Sequence, residues 1–468
     1  MTERIAGFEL EHLYGPEEIR YRDDELAVVC LVRDGEPWVR SFVEHYFSLG
    51  AKHLVFLDNG STDDTVSAAS EYDNVTVLWT KLPFGADVEG TEGQNLMRRY
   101  LIERFCRNRW SLCVDIDELF DYPYSDVIGL NSLLRYLNSK SYTAVTAQML
   151  DMFPEKLSVN SAQGIVTELK DEYRFYDISK IERSTTNKDK HAIRNNIVES
   201  DEVAVGIRGG IRANVFGYKP LLTKYPLLFS DGTLEHMGVH AVRNARVADL
   251  TCVLFHYKFH AFALQDYWYR AIEFKRGRSR FMERRYAKYV EVLEKHPELH
   301  LRADSSREIA GVNDLLENGF LVSSEDYIDW VNVEEEKGIL QADPQSKPHE
   351  LAAAFLDSRR RERAKTLMVG RLEQRLVEYR RQEQTKDQRI KKLKRRRRKQ
   401  ALMHSELEKR ISDQGHKIQT LQHKRRRLKQ RNDRLKQQIK DLRRSKAWRF
   451  IPIIRRIKRR LQNLHSRS

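Results

Sequence analysis

Short apolar segments alternate with amphipathic segments through residues 26–150, and this alternation constrains the fold more than any other feature of the sequence. The predicted strands are the apolar, β-branched runs at 27–32, 53–57, 75–79, 110–114 and 143–149. The segments with helical spacing between them are 36–49, 94–107 and 126–137. Such alternation predicts an α/β fold with an open, mostly parallel sheet and helices on both faces. Ligands of such sheets bind beyond the carboxyl ends of the strands.

The charge of the chain divides near residue 350. The whole chain carries 83 Lys and Arg, 68 Asp and Glu, and a formal charge of +15. Residues 351–468 have 41 basic and 11 acidic side chains, or +30, which leaves 42 against 57, or −15, for residues 1–350. An acidic body and a basic tail therefore need separate explanations.

Composition also restricts the class of protein. A chain with 40% hydrophobic and 10% aromatic residues is not disordered throughout. No apolar run reaches the roughly 18 residues of a membrane-spanning helix, and the first residues lack the pattern of a secretory signal. The scattered cysteines predict neither a disulfide framework nor a cysteine metal site; they are Cys30, Cys106, Cys113 and Cys252. These features favour the cytoplasm.

Acidic residues follow two of the predicted strands. Asp58 begins the polar loop 58–65, and Asp115 and Asp117 follow the strand at 110–114. If the backbone turns just after Val114, both carboxylates reach a common Mn²⁺ or Mg²⁺, which binds carboxylate and phosphate oxygens together. The metal would act as a Lewis acid on a leaving phosphate. The alternatives are a solvated strand end and an ordinary polar turn.

Several ordered motifs resemble a known family. They are VCLVRDGE at 29–36, LGA at 49–51, DNGSTDDT at 58–65 and DIDE at 115–118. Together they resemble the family 2 type of glycosyltransferase with the GT-A fold, in particular a bacterial subgroup with a D-I-D-E-F strand end. This chain has Gly35 where that subgroup often has Asn, and Leu119 where it often has Phe. Further stretches similar to the subgroup are GGIR at 209–212, TKYPL at 223–227 and LFHYKF at 254–259.

The resemblance implies roles for the acidic loops. Asp58 would accept hydrogen bonds from the base or ribose of a nucleotide, and Arg33 would border the same pocket. Asp115 would contact the sugar or ribose, directly or through water. Asp117 would be the principal ligand of the Mn²⁺ or Mg²⁺ cofactor.

The resemblance also implies a third metal ligand, usually a histidine from the second half of the fold. His240 and His256 are the candidates, and we favour His256 because it interrupts an apolar run. Lys258 would neutralise charge on the diphosphate. The alternatives are a histidine that is hydrogen-bonded inside a sheet and a lysine at a solvated strand edge.

An inverting transfer needs a carboxylate to take the proton of the acceptor hydroxyl. Asp231 and Glu235 are the candidate catalytic bases, although surface loops commonly carry such acids. The basic residues Arg208, Arg212 and Lys224 near the Gly-rich turn would suit an acidic or phosphorylated acceptor.

Residues 369–442 follow a heptad frame in which 14 of the 22 a and d positions are apolar. Ile at a, Leu at d and Asn432 at a favour a parallel homodimer, whereas an isolated helix is the alternative. The following segment 447–461 mixes Trp448, Phe450 and Ile residues with many cations, as in segments that adsorb to anionic membranes. Nucleic acid is the less favoured partner, because we find no base-reading module.

The expected organisation has six parts. They are an N-terminal extension at 1–25, a nucleotide-sugar-binding half at 26–150, an acceptor-binding half at 151–290, an acidic helical annex or linker at 291–350, a basic coiled coil at 351–446 and a basic amphipathic tail at 447–468.

The leading hypothesis is a metal-dependent glycosyltransferase that moves a sugar from a nucleotide-diphosphate donor to a glycan or lipid-linked acceptor. It would act in cell-surface polysaccharide synthesis as a peripheral protein at the inner face of the cell membrane. One alternative is a nucleotidyltransferase, whose usual Gly-rich signature is missing after the first strand. The other is a noncatalytic coiled-coil scaffold, against which the intact Asp115 and Asp117 argue.

Overall fold

A computed structural model describes residues 3–158, 169–185, 195–199, 203, 205–260, 263–276, 280–342, 350–444, 452–453 and 455–459. The chain divides into two compact units, Met1–Val377 and Glu378–Ser468, which we call unit 1 and unit 2.

The strands of the described residues all belong to unit 1. They are β1 Arg4–Ile5, β2 Phe8–Tyr14, β3 Leu26–Val32, β4 His53–Asp58, β5 Val75–Thr80, β6 Asp87–Val88, β7 Thr91–Glu92, β8 Trp110–Asp115, β9 Glu118–Asp121, β10 Ala144–Asp151, β11 Lys156–Ser158, β12 Phe175–Tyr176, β13 Glu182–Thr185, β14 Ile197–Val198, β15 Val205–Arg208, β16 Thr223–Phe229, β17 Glu235–Gly238, β18 Ala241–Arg243, β19 Arg246–His256, β20 Glu298–His300 and β21 Arg307–Glu308.

The helices lie between these strands and after them. They are α1 Glu36–Leu49, α2 Thr65–Ala69, α3 Gly93–Phe105, α4 Leu130–Ser139, α5 Leu169–Glu172, α6 Ile211–Phe216, α7 Ala263–Arg276, α8 Arg280–Lys295, α9 Val312–Glu317, α10 Glu325–Ala342 and α11 Glu350–Arg444.

A large mixed sheet forms the centre of unit 1, with the strand order β1-β2-β5-β4-β3-β8-β16-β10-β19-β14 and β9 paired to β19. The pairs β5-β4, β4-β3, β3-β8, β10-β19 and β14-β19 are parallel. The predicted α/β class with a mostly parallel sheet and a long C-terminal helix is confirmed. The alternation did not predict β16, which runs antiparallel between β8 and β10.

The two faces of the sheet bury different helices. Along β3, Val28 and Cys30 belong to a core that includes α1 and α4, whereas Val29 and Leu31 belong to a core that includes α3. Alternate side chains of a strand point to opposite faces, so the fully buried run of β3 is the expected pattern for a strand covered on both sides. The prediction of helices on both faces is confirmed.

The ends of the chain contribute more to unit 1 than the sequence indicates. The segment 1–25, described above as an extension, supplies β2, which pairs with β5 at the edge of the sheet. At the other end, α11 begins within unit 1. There Arg363, whose side chain is 4% exposed, donates from Nη1 to Oδ1 of Asn332 (2.6 Å) and from Nη2 to Oε2 of Glu335 (2.6 Å). Residues 351–377 therefore belong to the globular unit, although their charge groups them with the basic tail.

Unit 2 consists of the remainder of α11 and the terminal segment. All residues of α11 from 378 to 444 are exposed. In the terminal segment Ile453 and Ile457 are exposed as well. The residues Trp448, Phe450, Ile454 and Leu461, on which the membrane hypothesis partly depends, lie outside the described residues. Within the described part of the chain, no helix is long and apolar enough to cross a bilayer.

Candidate functional site

The acidic loops meet at one edge of the sheet. In the parallel register Val32 lies beside Asp58, and Leu31 lies beside Asp115, so both acids stand at the carboxyl ends of neighbouring strands. The position of Asp58 and Asp115 at a common edge, expected from the alternation, is confirmed. Strand β3 lies between β4 and β8, and adjacent strands are about 4.8 Å apart. The backbones of Asp58 and Asp115 are therefore separated by roughly 10 Å.

Asp115 is held between two cations. Its Oδ1 accepts from Nη2 of Arg98 (2.8 Å) and its Oδ2 accepts from Nζ of Lys224 (3.0 Å). Lys224 also contacts Oε1 of Glu118 at 2.5 Å. Burial would raise the pKa of Asp115, but the charges of Lys224 and Arg98 outweigh it and hold this pKa well below its usual value. Asp115 is therefore a fixed, ionised acceptor with 35% of its side chain exposed.

Asp117 belongs to a second cluster. Its Oδ2 lies 3.4 Å from Nε2 of His256, and Nδ1 of His256 lies 2.6 Å from Oδ1 of Asp151. The other oxygen of Asp151 accepts from Nε of Arg212 at 2.7 Å. These four side chains form a row of contacts that begins at Asp117, which is 20% exposed, and ends at Arg212, which is 2% exposed. We call these four residues the Asp117 relay.

The strand pairing explains why the Asp117 relay forms. Asp151 and His256 end the parallel strands β10 and β19 and are direct neighbours in the register. On the other side of β19, His256 pairs with Glu118 of β9, and the backbone N–H of Tyr257 donates to the carbonyl oxygen of Asp117 (2.9 Å). The turn between β8 and β9 therefore brings Asp117 to His256.

Positive charge surrounds Asp117. Burial alone would raise the pKa of Asp117, but His256, Lys258 and Arg270 hold it well below its usual value. Lys258 is buried, and its Nζ lies 5.3 Å from the centre of the Tyr267 ring and 5.9 Å from that of Tyr286. Lys258 therefore lies among buried aromatic side chains, and not at a solvated strand edge.

Asp58 organises its own loop. Its Oδ2 accepts from the backbone N–H groups of Gly60 (3.0 Å) and Ser61 (3.1 Å), its Oδ1 accepts from the hydroxyl of Ser61, and the residue is 1% exposed. Asn59 ties the loop to the next strand by donating to the carbonyl oxygens of Thr80 (3.1 Å) and Leu82 (2.7 Å). The carboxylate oxygens of Asp58 thus hold the loop that follows β4.

The loops after β3 and β4 are joined by reciprocal hydrogen bonds. Asp34 Oδ1 accepts from the backbone N–H of Thr62 (2.7 Å), while Asp63 Oδ2 accepts from that of Glu36 (3.1 Å). Arg33 leaves this junction with its guanidinium carbon 5.3 Å from the centre of the Tyr269 ring and Nε 3.7 Å from Asp34 Oδ2. Arg33 therefore borders the edge that carries Asp58, next to α7.

Three predicted site residues lie outside these clusters: Asp231, Glu235 and His240. Asp231 follows β16, which pairs with β8 so that Phe229 opposes Trp110, at the amino end of β8. Asp115 ends β8, which puts the two acids at opposite edges of the sheet, roughly 17 Å or more apart along the strands. Glu235 is exposed, and its carboxylate contacts Arg243 (3.7 Å) and Asn244 (3.2 Å). The structure does not bring either proposed base to Asp115 or Asp117.

His240 lies in the turn between β17 and β18. Its Nδ1 donates to the carbonyl oxygen of Thr223 (2.7 Å), and the residue is exposed to solvent. His240 is therefore an exposed, hydrogen-bonded residue of the turn between β17 and β18, rather than a histidine inside the sheet.

The arrangement of donors fits a divalent cation at one pair of residues. Because a carboxylate only accepts, both ring nitrogens of His256 carry protons toward their carboxylates when no metal is bound, Nδ1 toward Asp151 and Nε2 toward Asp117. A cation that replaced the proton on Nε2 would find the ring oriented by Asp151, as in metal sites where an outer carboxylate orients a histidine ligand. Each of the two oxygens of Asp115 is already paired with a protein cation. No cluster of three or more His, Cys, Asp or Glu side chains suited to a metal occurs among the residues described. Of the expected set of Asp115, Asp117, His240 and His256, the structure brings Asp117 and His256 into contact, with 3.4 Å between Oδ2 and Nε2.

Sequence reasoning missed part of this site. Asp151 carries the same signal as Asp58 and Asp115, an acid at the end of an apolar strand, and could have been found by it. The sequence predicts that Arg212 and Lys224 suit an acidic acceptor, whereas in the structure they pair with Asp151 and Asp115. Arg98 has no signal of its own, because it lies on the buried face of α3.

Comparison with known proteins adds no assignment: no protein-family model and no curated protein matches the chain.

Proposed function

We propose that this chain is a metal-dependent glycosyltransferase of the GT-A type, which transfers a sugar from a nucleotide-diphosphate donor to a glycan or lipid-linked acceptor in cell-surface polysaccharide synthesis. The observation that carries the proposal is the Asp117 relay at the carboxyl edge of the sheet, next to the fixed carboxylate of Asp115. Open α/β sheets bind their ligands at this edge. The motif resemblance of residues 26 to 270 supplies the reaction class.

The charges of the site suit a diphosphate. Lys258 and Arg270 lie close enough to Asp117 to lower its pKa, so the acid is accompanied by cations that can also neutralise phosphate oxygens. Asp117 and His256 would hold Mn²⁺ or Mg²⁺, which supplies a Lewis acid for the leaving diphosphate. The remaining ligands would come from diphosphate oxygens and water.

Asp115 would orient the donor. Arg98 and Lys224 fix its two oxygens, so the exposed part of the carboxylate is a rigid acceptor for the hydroxyl groups of a sugar or ribose. Rigid acceptors of this kind lower the entropic cost of positioning a substrate. Asp58 would act on the nucleotide pocket through the loop that it shapes, with Arg33 at its border.

We also propose that the protein works at the inner face of the cell membrane as a peripheral protein. The support is the charge of +30 in residues 351–468, together with exposed Ile453 and Ile457 beside Arg455, Arg456, Lys458 and Arg459. Cations of such segments are attracted to anionic lipid by about 1 kcal/mol each near the surface.

Calorimetric titration with UDP-, GDP- and dTDP-sugars, each with and without Mn²⁺, tests the proposed function. We expect one nucleotide class to bind with Mn²⁺ and Asp117→Asn to abolish the metal-dependent part of the binding. Asp231→Asn, a carboxylate at the opposite edge of the sheet, is the matched control and should bind as the unaltered chain does. Absence of binding for all three donor classes, or unchanged affinity of Asp117→Asn, would contradict the proposal.

A further inference from the structure

The part of α11 in unit 2 carries an apolar seam. At the a and d positions between 404 and 442, the exposed side chains include Leu407, Ile411, Ile418, Leu421, Leu428, Leu435 and Ile439, with exposures of 47% to 68%. Residues at these positions lie on one face of a helix, so they form a stripe, which Gln414, Arg425 and Asn432 interrupt. Stripes of this kind are stabilised when another helix covers them, since apolar surface is then removed from water.

The rows on either side of the seam are strongly basic. The e and g positions of this stretch hold the cations Arg410, Lys417, Lys424, Lys429, Arg431, Lys436 and Arg443. Glu408 is the acid in these rows, and it lies 3.3 Å from His404 of its own helix. The seam itself contains a further cation, Arg425, at an a position.

A second copy of this helix would meet the same charges. In a parallel pair, a g residue faces the e residue of the next heptad in the partner, so Lys424 would face Lys429 and Arg431 would face Lys436, twice each. Arg425 would face its own counterpart within the seam. Like charges at these positions oppose association and select against the pairing. The Ile and Leu seam favours a parallel homodimer, but the flanking charges do not.

An acidic partner helix would replace each of these repulsive contacts by an attractive one. Glu residues at its e and g positions would face the cations of both rows, and an acid opposite Arg425 would neutralise that side chain in the seam. We propose that residues 404–443 bind an acidic α-helix of another protein, with an Ile and Leu seam and Glu at both flanking rows, as a heterotypic coiled coil. This inference does not depend on the proposed sugar transfer.

The test uses the full chain and two synthetic peptides of equal length and equal Glu content. The first peptide has Ile at a, Leu at d and Glu at e and g; the second has Ser and Gln in place of Ile and Leu. By sedimentation velocity in about 0.15 M salt, we expect the chain alone to be a monomer of 55.2 kDa. We expect the first peptide to bind at one copy per chain, and roughly 30-fold or more tighter than the second, which corresponds to about 2 kcal/mol.

Variants of the chain locate the contact. Ile418→Asn combined with Leu421→Asn should weaken binding of the first peptide by roughly tenfold or more, because both residues belong to the seam. His423→Asn, at an outward f position of the same heptad, is the matched control and should leave binding unchanged. A chain that sediments as a dimer by itself would assign the seam to a second copy and overturn the proposal. Equal binding of both peptides, or complete competition by poly(U) or anionic vesicles, would show a general attraction to polyanions and would overturn it as well.

Discussion

Arg212 and Asp151 form a buried ion pair, with Nε of the arginine 2.7 Å from Oδ2 of the aspartate and both side chains 2% exposed. Burial would raise the pKa of Asp151, but the charge of Arg212 and the contact with His256 hold it at about 2. Asp151 is therefore ionised at neutral pH, and its Oδ1 fixes the orientation of His256. A buried arginine thus keeps ionised the carboxylate that contacts Nδ1 of His256.

Asp151→Asn should weaken binding of Mn²⁺ to the chain by roughly 10-fold to 100-fold, because the amide no longer accepts a charged hydrogen bond from His256. Calorimetric titration with Mn²⁺ alone measures this without any sugar donor. Asp231→Asn serves as the control at the other edge of the sheet. Equal Mn²⁺ affinity of the Asp151→Asn chain and the unaltered chain would remove the orienting role.

Lys224→Met should lower the free energy of unfolding by about 3 to 5 kcal/mol, since it leaves Asp115 and Glu118 without their shared buried cation. Adding Glu118→Gln should recover part of the loss, and urea denaturation of unit 1 measures both effects. The control is Lys219→Met, which breaks the exposed pair with Glu182 and should cost less than about 1 kcal/mol. Similar losses for the two single substitutions would contradict the buried network.

Acidification should destabilise unit 1 between about pH 6.5 and pH 4. Burial lowers the pKa of His53 to about 4 and that of His236 to about 3. In this range the unfolded chain binds protons at these histidines and the folded chain does not, so stability falls as pH falls. His256 acts in the opposite direction, because its pKa is raised by Asp117 and Asp151 despite its burial. Denaturation midpoints at several pH values check the slope, which should decrease when His53 is replaced by Gln; an unchanged slope would exclude His53 as a contributor.

Two glycines of α11 should respond oppositely to alanine. At Gly370 a β-carbon would collide with the carbonyl oxygen of Leu316, whereas at Gly415 it would meet nothing within 4 Å. Gly370→Ala should therefore lower the melting temperature of unit 1. Gly415→Ala should increase helicity, because alanine favours a helix interior by about 0.5 to 1 kcal/mol over glycine. Circular dichroism melting curves of the full chain measure both, and a destabilised Gly415→Ala chain would contradict the open surroundings of that position.

The sequence predicts the parts of the fold that depend on local pattern. Helix α1 has the predicted bounds, and it ends at Gly50, whose φ of 106° permits the left-handed cap. The edge that carries Asp58 and Asp115 follows from the order of strands and helices alone. These features require only periodicity and turn chemistry, which are readable within about ten residues.

The rest depends on pairings between distant residues. Lys224 and Asp115 are 109 positions apart, and they meet because β16 enters the sheet antiparallel beside β8. Arg98 reaches the same carboxylate from the helix α3. No local pattern distinguishes these buried cations from surface ones, so the sequence alone predicts an acceptor contact for a basic residue near a Gly-rich turn. The misplacement of Asp231 has the same origin, because the direction of β16 decides at which edge its following loop lies.

The hydrogen bonds between the loops after β3 and β4 have a consequence for the motions of the molecule. Asp34 accepts from Thr62, and Asp63 accepts from Glu36, so each loop loses these two hydrogen bonds when the other opens. The backbone amides of Asp34 and Gly35 donate to the side chains of Ser61 and Thr65, which extends the mutual dependence. The two loops should therefore exchange their amide hydrogens as one cooperative unit, rather than as two independently fraying turns.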